Sequence, residues 1–137
     1  MATATQTQAP KRDTFEIQAW RFMRWSGVLL IPLVFGHLAY IHIVNSVAVI
    51  AGADWVLQHR WAYLNVRIYD AFLLWFAALH GFNGLRYVIN DYIHQGGLRR
   101  GLTIASGLVL VIVLTLGTVA IVASPGLTSF WGGWTRF

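Results

Sequence analysis

The sequence contains no cysteine and few charged residues, which make up 11% of its 137 residues. Without cysteine the chain can form no disulfide and can hold no iron–sulfur cluster through its own thiolates. Soluble domains carry about 25% charged residues, so the composition argues against a water-exposed domain. The ten basic residues flank apolar stretches rather than forming a patch, and we therefore expect no nucleic-acid partner.

Apolar residues dominate instead, at 57% of the chain with a mean hydropathy of +0.58. A helix needs about 20 apolar residues to cross a ~30 Å hydrocarbon core, and three stretches reach that length, at about residues 25–50, 68–90 and 102–123. We therefore predict an all-α membrane protein whose three transmembrane helices form an up-down-up bundle. Residues 1–16 are expected to be a cytoplasmic tail, and residues 17–137 a single three-helix transmembrane domain.

The third predicted span carries a series of small residues, which would let another helix approach closely. They are Gly101, Ala105, Gly107, Gly117 and Ala120. A bundle of three helices leaves much of its surface uncovered. We therefore expect it to be part of a larger bundle that includes partner subunits, surrounded by membrane lipid.

The basic residues predict how the chain is oriented in the membrane. Most fall at the end of the bundle that contains the N-terminus: Lys11, Arg12, Arg21, Arg24, Arg99 and Arg100. Fewer lie at the opposite end: Arg60, Arg67 and Arg136. Because cytoplasmic segments are enriched in Lys and Arg, we place the N-terminus and the 95–101 turn in the cytoplasm and the C-terminus outside.

Five histidines divide into two groups by their position along the chain. His59 and His94 fall in polar segments between the predicted spans, where we expect them to be solvated. His37, His42 and His80 fall within the spans, where ionisable side chains are functional candidates by default. His42 is rotated by about 140° from His37 on a helix, so we assign it to an interface rather than to the same site.

Glycines accompany the other two intramembrane histidines. Gly36 precedes His37, and Gly84 lies one helical turn beyond His80, which would leave room for a flat ligand against the backbone. We expect both histidines to be axial ligands of haem b, either sharing one iron or each pairing with a histidine of a partner subunit. The alternative is that each imidazole is neutral and hydrogen-bonded to a neighbouring helix.

Polar residues follow His80 toward the predicted cytoplasmic end of the second span. Arg86 lies about 9 Å beyond His80 along the helix and needs an anion, which a haem propionate or Asp91 would supply; snorkelling to lipid head groups is the alternative. Asp91 and Tyr92 are candidates for a quinone site, because a tyrosine hydroxyl can donate to a quinone carbonyl. The alternative is an ordinary helix end with a tyrosine at the membrane interface.

Two residues of the first span and one of the second complete the candidates. Arg24 and Ser26 lie toward the cytoplasmic end of the first span, where they could offer a cation and a hydroxyl to the same quinone or to a propionate. Asp70 is expected to begin the second helix from the outside. A carboxylate there favours the helix dipole, and no other role is assigned to it.

Two segments resemble a known family, the membrane anchors of succinate dehydrogenase. The pattern His-x-x-x-Gly-x6-Asp-Tyr, formed by His80, Gly84, Asp91 and Tyr92, resembles the second helix of the small, D-type anchor. Residues 22–27 (Phe-Met-Arg-Trp-Ser-Gly), followed by Gly-His at 36–37, resemble the first helix of the two-haem anchors of bacterial complexes. The resemblance extends over about residues 17–124.

The resemblance implies a complex of four subunits in the bacterial cytoplasmic membrane. A flavoprotein oxidises succinate, an iron–sulfur subunit passes on the electrons, and two anchors hold haem b and the quinone site. This chain would be the smaller anchor, with no catalytic residue for succinate oxidation, and would contribute to quinone reduction beside a companion cytochrome b anchor.

For individual residues, the resemblance implies two haems, each shared with the companion anchor. His80 would hold the haem nearer the cytoplasm and His37 the one nearer the outside. Tyr92 would hydrogen-bond the quinone with Asp91 beside it, whereas Arg24 and Ser26 match a motif better known from the companion anchor. The alternatives are the anchor of a fumarate reductase and a haem-free structural subunit. A small transporter is disfavoured because paired intramembrane acids and broken-helix signals are lacking.

Overall fold

A computed structural model describes residues 14–44 and 61–124 of the chain. Helix α1 spans Thr14–Ala39 and continues into a short π-helical segment at Tyr40–Val44. Helix α2 spans Leu64–Tyr92, and helix α3 spans Gly96–Ala123. The described residues contain no β-strand, and all three helices are long and apolar enough to cross a membrane. The predicted all-α fold with three membrane-spanning helices is confirmed.

The helices differ in extent from the predicted spans. Helix α1 begins at Thr14, so it includes the polar and aromatic stretch before residue 25 and the last residues of the predicted tail. It continues through Pro32 without a break, as membrane helices can when neighbouring groups satisfy the freed carbonyl. The remainder of the first predicted span, residues 45–50, lies outside the described residues, as do His59 and the C-terminal tail.

Helix α2 lies at the centre of the bundle, packed against both α1 and α3. Few apolar side chains are buried between the helices, among them Val66, Leu114 and Ile121. Large apolar side chains such as Phe35 and Leu116 are instead mostly exposed. A membrane or a partner subunit must cover such a surface, since apolar patches of this extent are not left in water.

Glycines of α3 allow that helix to lie close to α2. A Cβ atom on Gly117 would come within 2.6 Å of Leu74 Cδ2, and one on Gly107 would lie 3.8 Å from the Phe82 ring. These two small residues therefore face α2 of the same chain rather than a partner. Nothing described lies within 4 Å of a Cβ on Gly101, so the partner prediction remains open for that end of α3.

A buried arginine joins the ends of two helices on the side away from the N-terminus. Arg67 is 7% exposed. Its guanidinium donates to the carbonyl oxygens of Trp61, Val122 (3.3 Å) and Ser124 (2.8 Å). The last carbonyls of a helix have no partner within the helix, so Arg67 supplies donors to the C-terminal end of α3 and fixes it against the start of α2.

Candidate functional site

His80 lies on the face of α2 that packs against α1. The Ser26 hydroxyl oxygen is 2.8 Å from His80 Nδ1, and Ser26 itself is 1% exposed. The ring also rests against the α1 backbone, because a Cβ atom on Gly27 would lie 3.5 Å from His80 Cε1. One ring nitrogen of His80 is therefore held by α1, and within residues 14–44 and 61–124 nothing hydrogen-bonds the other.

Gly84 lies beside a side chain of helix α1. A Cβ atom on Gly84 would lie 3.5 Å from the terminal methyl of Met23. Gly84 thus lies in van der Waals contact with a side chain of α1, and the room for a flat ligand beside it stays a prediction. The glycine that adjoins the His80 ring is Gly27 of the neighbouring helix, which could not be found without knowing how the two helices are aligned.

His37 lies beside a carboxylate at the opposite end of the α1–α2 interface. His37 Nδ1 is 3.6 Å from Asp70 Oδ1, and the Trp61 indole N–H donates to Asp70 Oδ2 at 2.9 Å. These side chains line one end of an open cavity of about 540 Å³ between the helices. Helix α2 begins at Leu64, so the expectation that Asp70 starts the helix is wrong. Its carboxylate faces His37 instead.

The two imidazoles lie at different depths in the bundle. His80 is level with Ser26, and His37 is level with Asp70. Eleven residues of α1 separate Ser26 from His37, and ten residues of α2 separate Asp70 from His80, which corresponds to about 15–16 Å of helix rise. Both nitrogens of a bis-histidine site bind the same metal atom, so His37 and His80 of one chain cannot share an iron in this arrangement.

Arg86 pairs with a carboxylate of α1 that its own helix pattern does not indicate. Its two terminal nitrogens donate to the two carboxylate oxygens of Glu16 at 2.6 and 2.9 Å, in the bidentate geometry that makes such pairs strong. Its Nε donates to Asn83 Oδ1 at 3.2 Å, and the Asn83 amide donates to the Ala19 carbonyl at 3.1 Å. Glu16 was assigned to the predicted tail, so it was not available as a partner.

Aromatic rings complete the surroundings of that guanidinium. Arg86 Cζ lies 5.3 Å from the centre of the Phe15 ring and 4.9 Å from that of Tyr87, within the range of cation–π attraction. No ion pair between Arg86 and Asp91 is present among the described residues. Glu16, Asn83 and Arg86 together therefore form a polar link between the start of α1 and the end of α2.

We predict that Glu16→Gln and Arg86→Gln both lower the thermal stability of the purified protein, Arg86→Gln the more because it also removes the bond to Asn83. The Glu16 side chain is 46% exposed, and pairs of this kind contribute about 1 kcal/mol or less. The loss should shrink at high salt, because screening already weakens a partly exposed pair. Thermal denaturation at low and high ionic strength measures both effects, with Arg100→Gln, an exposed arginine of α3, as the matched control.

The same variants separate the two roles considered for Arg86. If the guanidinium serves Glu16 alone, neither variant should alter any haem spectrum of the assembled complex. A spectral change in Arg86→Gln that is absent from Glu16→Gln would instead support the propionate role. Equal stability of both variants and the unaltered protein would contradict the link between α1 and α2.

The predicted quinone residues lie at the exposed end of α2. Asp91 and Tyr92 are the last two residues of the helix, and Tyr92 is 76% exposed. Ser26 faces His80, which is eleven residues from Asp91, or about 16 Å along the helix. Ser26 is therefore not brought together with Asp91 and Tyr92, and its hydroxyl already has partners.

Arg24 is also separate from the end of α2 that carries Asp91 and Tyr92. It is exposed on α1, with its guanidinium 4.8 Å from the centre of the Trp20 ring. Trp20, Arg21, Arg24, Trp25 and Val28 line a shallow cavity of about 390 Å³. His42 and His94 are exposed as well. Any ligand of Arg24 would lie on this outer face of α1, on the side turned away from α2.

The comparison with protein families agrees with this architecture. The family described as succinate dehydrogenase/fumarate reductase transmembrane subunit matches residues 4–121, which include α1, α2 and nearly all of α3. No curated protein sequence matches the chain. With three helices able to span a membrane, the chain is a membrane protein, and it belongs to the family of transmembrane subunits of succinate dehydrogenase and fumarate reductase.

Proposed function

We propose that this chain is the small, D-type anchor of a bacterial succinate dehydrogenase, and that His37 and His80 are axial ligands of two b-type haems. Membership of the family implies association with the other subunits of such a complex. The observation that carries the haem assignment is the setting of His80. One of its ring nitrogens is held at 2.8 Å by Ser26, and within the described helices the other has no hydrogen-bond partner.

That setting fits the requirements of an axial ligand. A neutral imidazole binds a metal through one nitrogen while the other is usually held by a hydrogen-bond acceptor. Because His37 and His80 lie about 15 Å apart along the helices, each would bind its own iron. The second ligand of each iron would come from the companion cytochrome b anchor. When bound, the haems would carry electrons one at a time between the iron–sulfur subunit and the quinone.

For the quinone we assign the cytoplasmic end of α2. The Tyr92 hydroxyl would donate a hydrogen bond to a quinone carbonyl, and the neighbouring Asp91 carboxylate would orient that hydroxyl or take part in proton delivery. Both side chains are exposed, so the remainder of the site would come from the partner subunits. Arg24 is kept as a candidate ligand of a quinone or of a haem propionate.

The orientation follows from the distribution of basic residues. Arg99 and Arg100 lie at the start of α3, on the same side as the N-terminus. Cytoplasmic segments carry an excess of such residues, so this side would face the cytoplasm, where the flavoprotein and the iron–sulfur subunit bind. The C-terminus would lie outside, and the exposed apolar faces would contact the companion anchor and lipid.

The experiment that tests this function is purification of the intact complex through a tag on this chain, followed by a count of haem b per flavin. The proposal expects two haems for each flavin, with b-type absorption after reduction by dithionite. A fully assembled but colourless complex would rule out the haem role and leave a haem-free structural subunit. Rates of succinate oxidation and of fumarate reduction, measured on the same preparation, would distinguish a dehydrogenase from a fumarate reductase.

A further inference from the structure

We propose that Ser26 is a positioning residue for His80. Its hydroxyl would hold the imidazole as the tautomer that is protonated on Nδ1, so that Nε2 is the nitrogen offered to the iron. This inference rests on the proposed function of His80 as a haem ligand. It also gives Ser26 a role different from the quinone or propionate contact expected from the sequence.

The tautomer follows from the single proton of the hydroxyl. Ser26 Oγ lies 2.6 Å from the carbonyl oxygen of Phe22 and 3.4 Å from that of Met23. A carbonyl oxygen can only accept, so the hydroxyl proton points to Phe22. At 2.8 Å from the same oxygen, His80 Nδ1 must then be the donor. A neutral imidazole carries one N–H, which leaves the lone pair on Nε2.

The position of the ring is set by the same helix. Ser26 is 1% exposed, so its hydroxyl cannot turn to water. The neighbouring Gly27 lies against His80 Cε1, the carbon between the two ring nitrogens, at 3.5 Å from where a Cβ would be. Helix α1 thus supports both the polar edge and one corner of the ring, and rotation of the imidazole would break the hydrogen bond.

Most serines within helices bond only to a carbonyl of their own helix, and α3 provides an example. Ser106 Oγ donates to the Thr103 carbonyl at 3.0 Å, an arrangement that occupies the hydroxyl without linking it to another helix. Ser26 also donates to a carbonyl of its own helix, that of Phe22 four residues earlier, and in addition it bonds to an imidazole of α2. Ser106 is therefore a matched control for the loss of an intrahelical serine bond.

The Ser26 hydroxyl should influence the basicity of the His80 imidazole as well as its orientation. A hydrogen bond from the distal N–H of a ligating histidine makes the imidazole a more basic ligand. A more basic ligand favours the oxidised metal, so removal of the acceptor should raise the midpoint potential of the haem bound to His80. We expect a shift in the oxidised-to-reduced equilibrium of up to tenfold, or about 59 mV for a one-electron couple.

The test uses the intact complex with Ser26→Ala, Ser26→Thr and Ser106→Ala. Haem per flavin, the low-temperature electron paramagnetic resonance signal and the midpoint potential are measured for each. Ser26→Ala should shift the signal and raise the potential of one haem, and should make that haem easier to lose. Ser26→Thr, which keeps a hydroxyl, should resemble the unaltered complex, as should Ser106→Ala.

Two further variants, Ser26→Cys and His80→Ala, separate the role of Ser26 from haem ligation by His80. Ser26→Cys retains most of the volume but offers only a weak acceptor, so it should shift the signal in the same direction as Ser26→Ala, even if the alanine variant assembles poorly. An unchanged signal and potential in both would overturn the role of Ser26 while leaving haem ligation intact. A full haem complement in His80→Ala would instead overturn the proposed function itself.

Discussion

Replacement of His80 by alanine should remove one of two b-type haem signals from the dithionite-reduced complex, and His37→Ala should remove the other. The two losses should be independent, because the imidazoles lie about 15 Å apart along the helices and each is held by different neighbours. His80 is bonded to Ser26, whereas His37 lies beside Asp70. The methyl group of alanine cannot bind iron, so each variant should change the signal of its own haem and leave the other haem unaltered.

Absorption spectra of purified complexes, normalised to flavin, measure this effect. His42→Ala and His94→Ala are the controls, because both side chains are exposed, and they should retain both signals. Unchanged spectra in His37→Ala and His80→Ala would contradict haem ligation by this chain. Loss of both signals in a single variant that is still assembled would contradict the separation of the two sites.

The second large effect is expected at Arg67. Arg67→Met should lower the thermal stability of the complex, because it removes donors from the carbonyls of Trp61, Val122 and Ser124. A carbonyl left without a partner costs on the order of 1–3 kcal/mol where water does not replace the lost donor. The C-terminal end of α3 should loosen first, because Arg67 donates to two of its last carbonyls.

Thermal denaturation and limited proteolysis near residue 124 measure the two parts of that prediction. Arg100→Met, an exposed arginine at the other end of α3, is the matched control and should melt as the unaltered protein does. Arg67→Lys keeps the charge but not the planar set of donors. Its melting temperature should lie between those of Arg67→Met and the unaltered protein. A melting temperature unchanged by Arg67→Met would show that the buried guanidinium does not hold these helix ends together.

The sequence indicates which residues belong to the candidate site better than it indicates what those residues contact. His37 and His80 stand out because an ionisable side chain within an apolar stretch is costly and therefore conspicuous. Ser26 is indicated by the motif at residues 22–27, but the motif does not indicate that Ser26 bonds to His80. Gly84 lies beside the Met23 side chain, and the glycine that contacts the imidazole of His80 is Gly27 of α1. A pattern within one helix identifies a face, but it does not identify what lies against that face.

The partners of the charged residues were the least predictable. The sequence predicts that Arg86 needs an anion, and the structure pairs it with Glu16, a residue of the predicted tail. Asp70 was assigned only to the helix dipole, yet it lies beside His37 and Trp61. Glu16 and Arg86 are 70 positions apart in sequence, and His37 and Asp70 are more than thirty apart, so no local periodicity could reveal these pairs.

The sequence by itself determined the class of fold, because three apolar stretches of membrane-spanning length leave the backbone no alternative to helices that satisfy their own hydrogen bonds. It also identified His37 and His80, the two intramembrane histidines with a nearby glycine. Only the tertiary structure decided their depth and their neighbours: His80 against Ser26, His37 beside Asp70, and too great a distance between them for one iron. The physical reason is that the rotation and axial offset of packed helices arise from contacts between helices, which the period of any single helix does not contain.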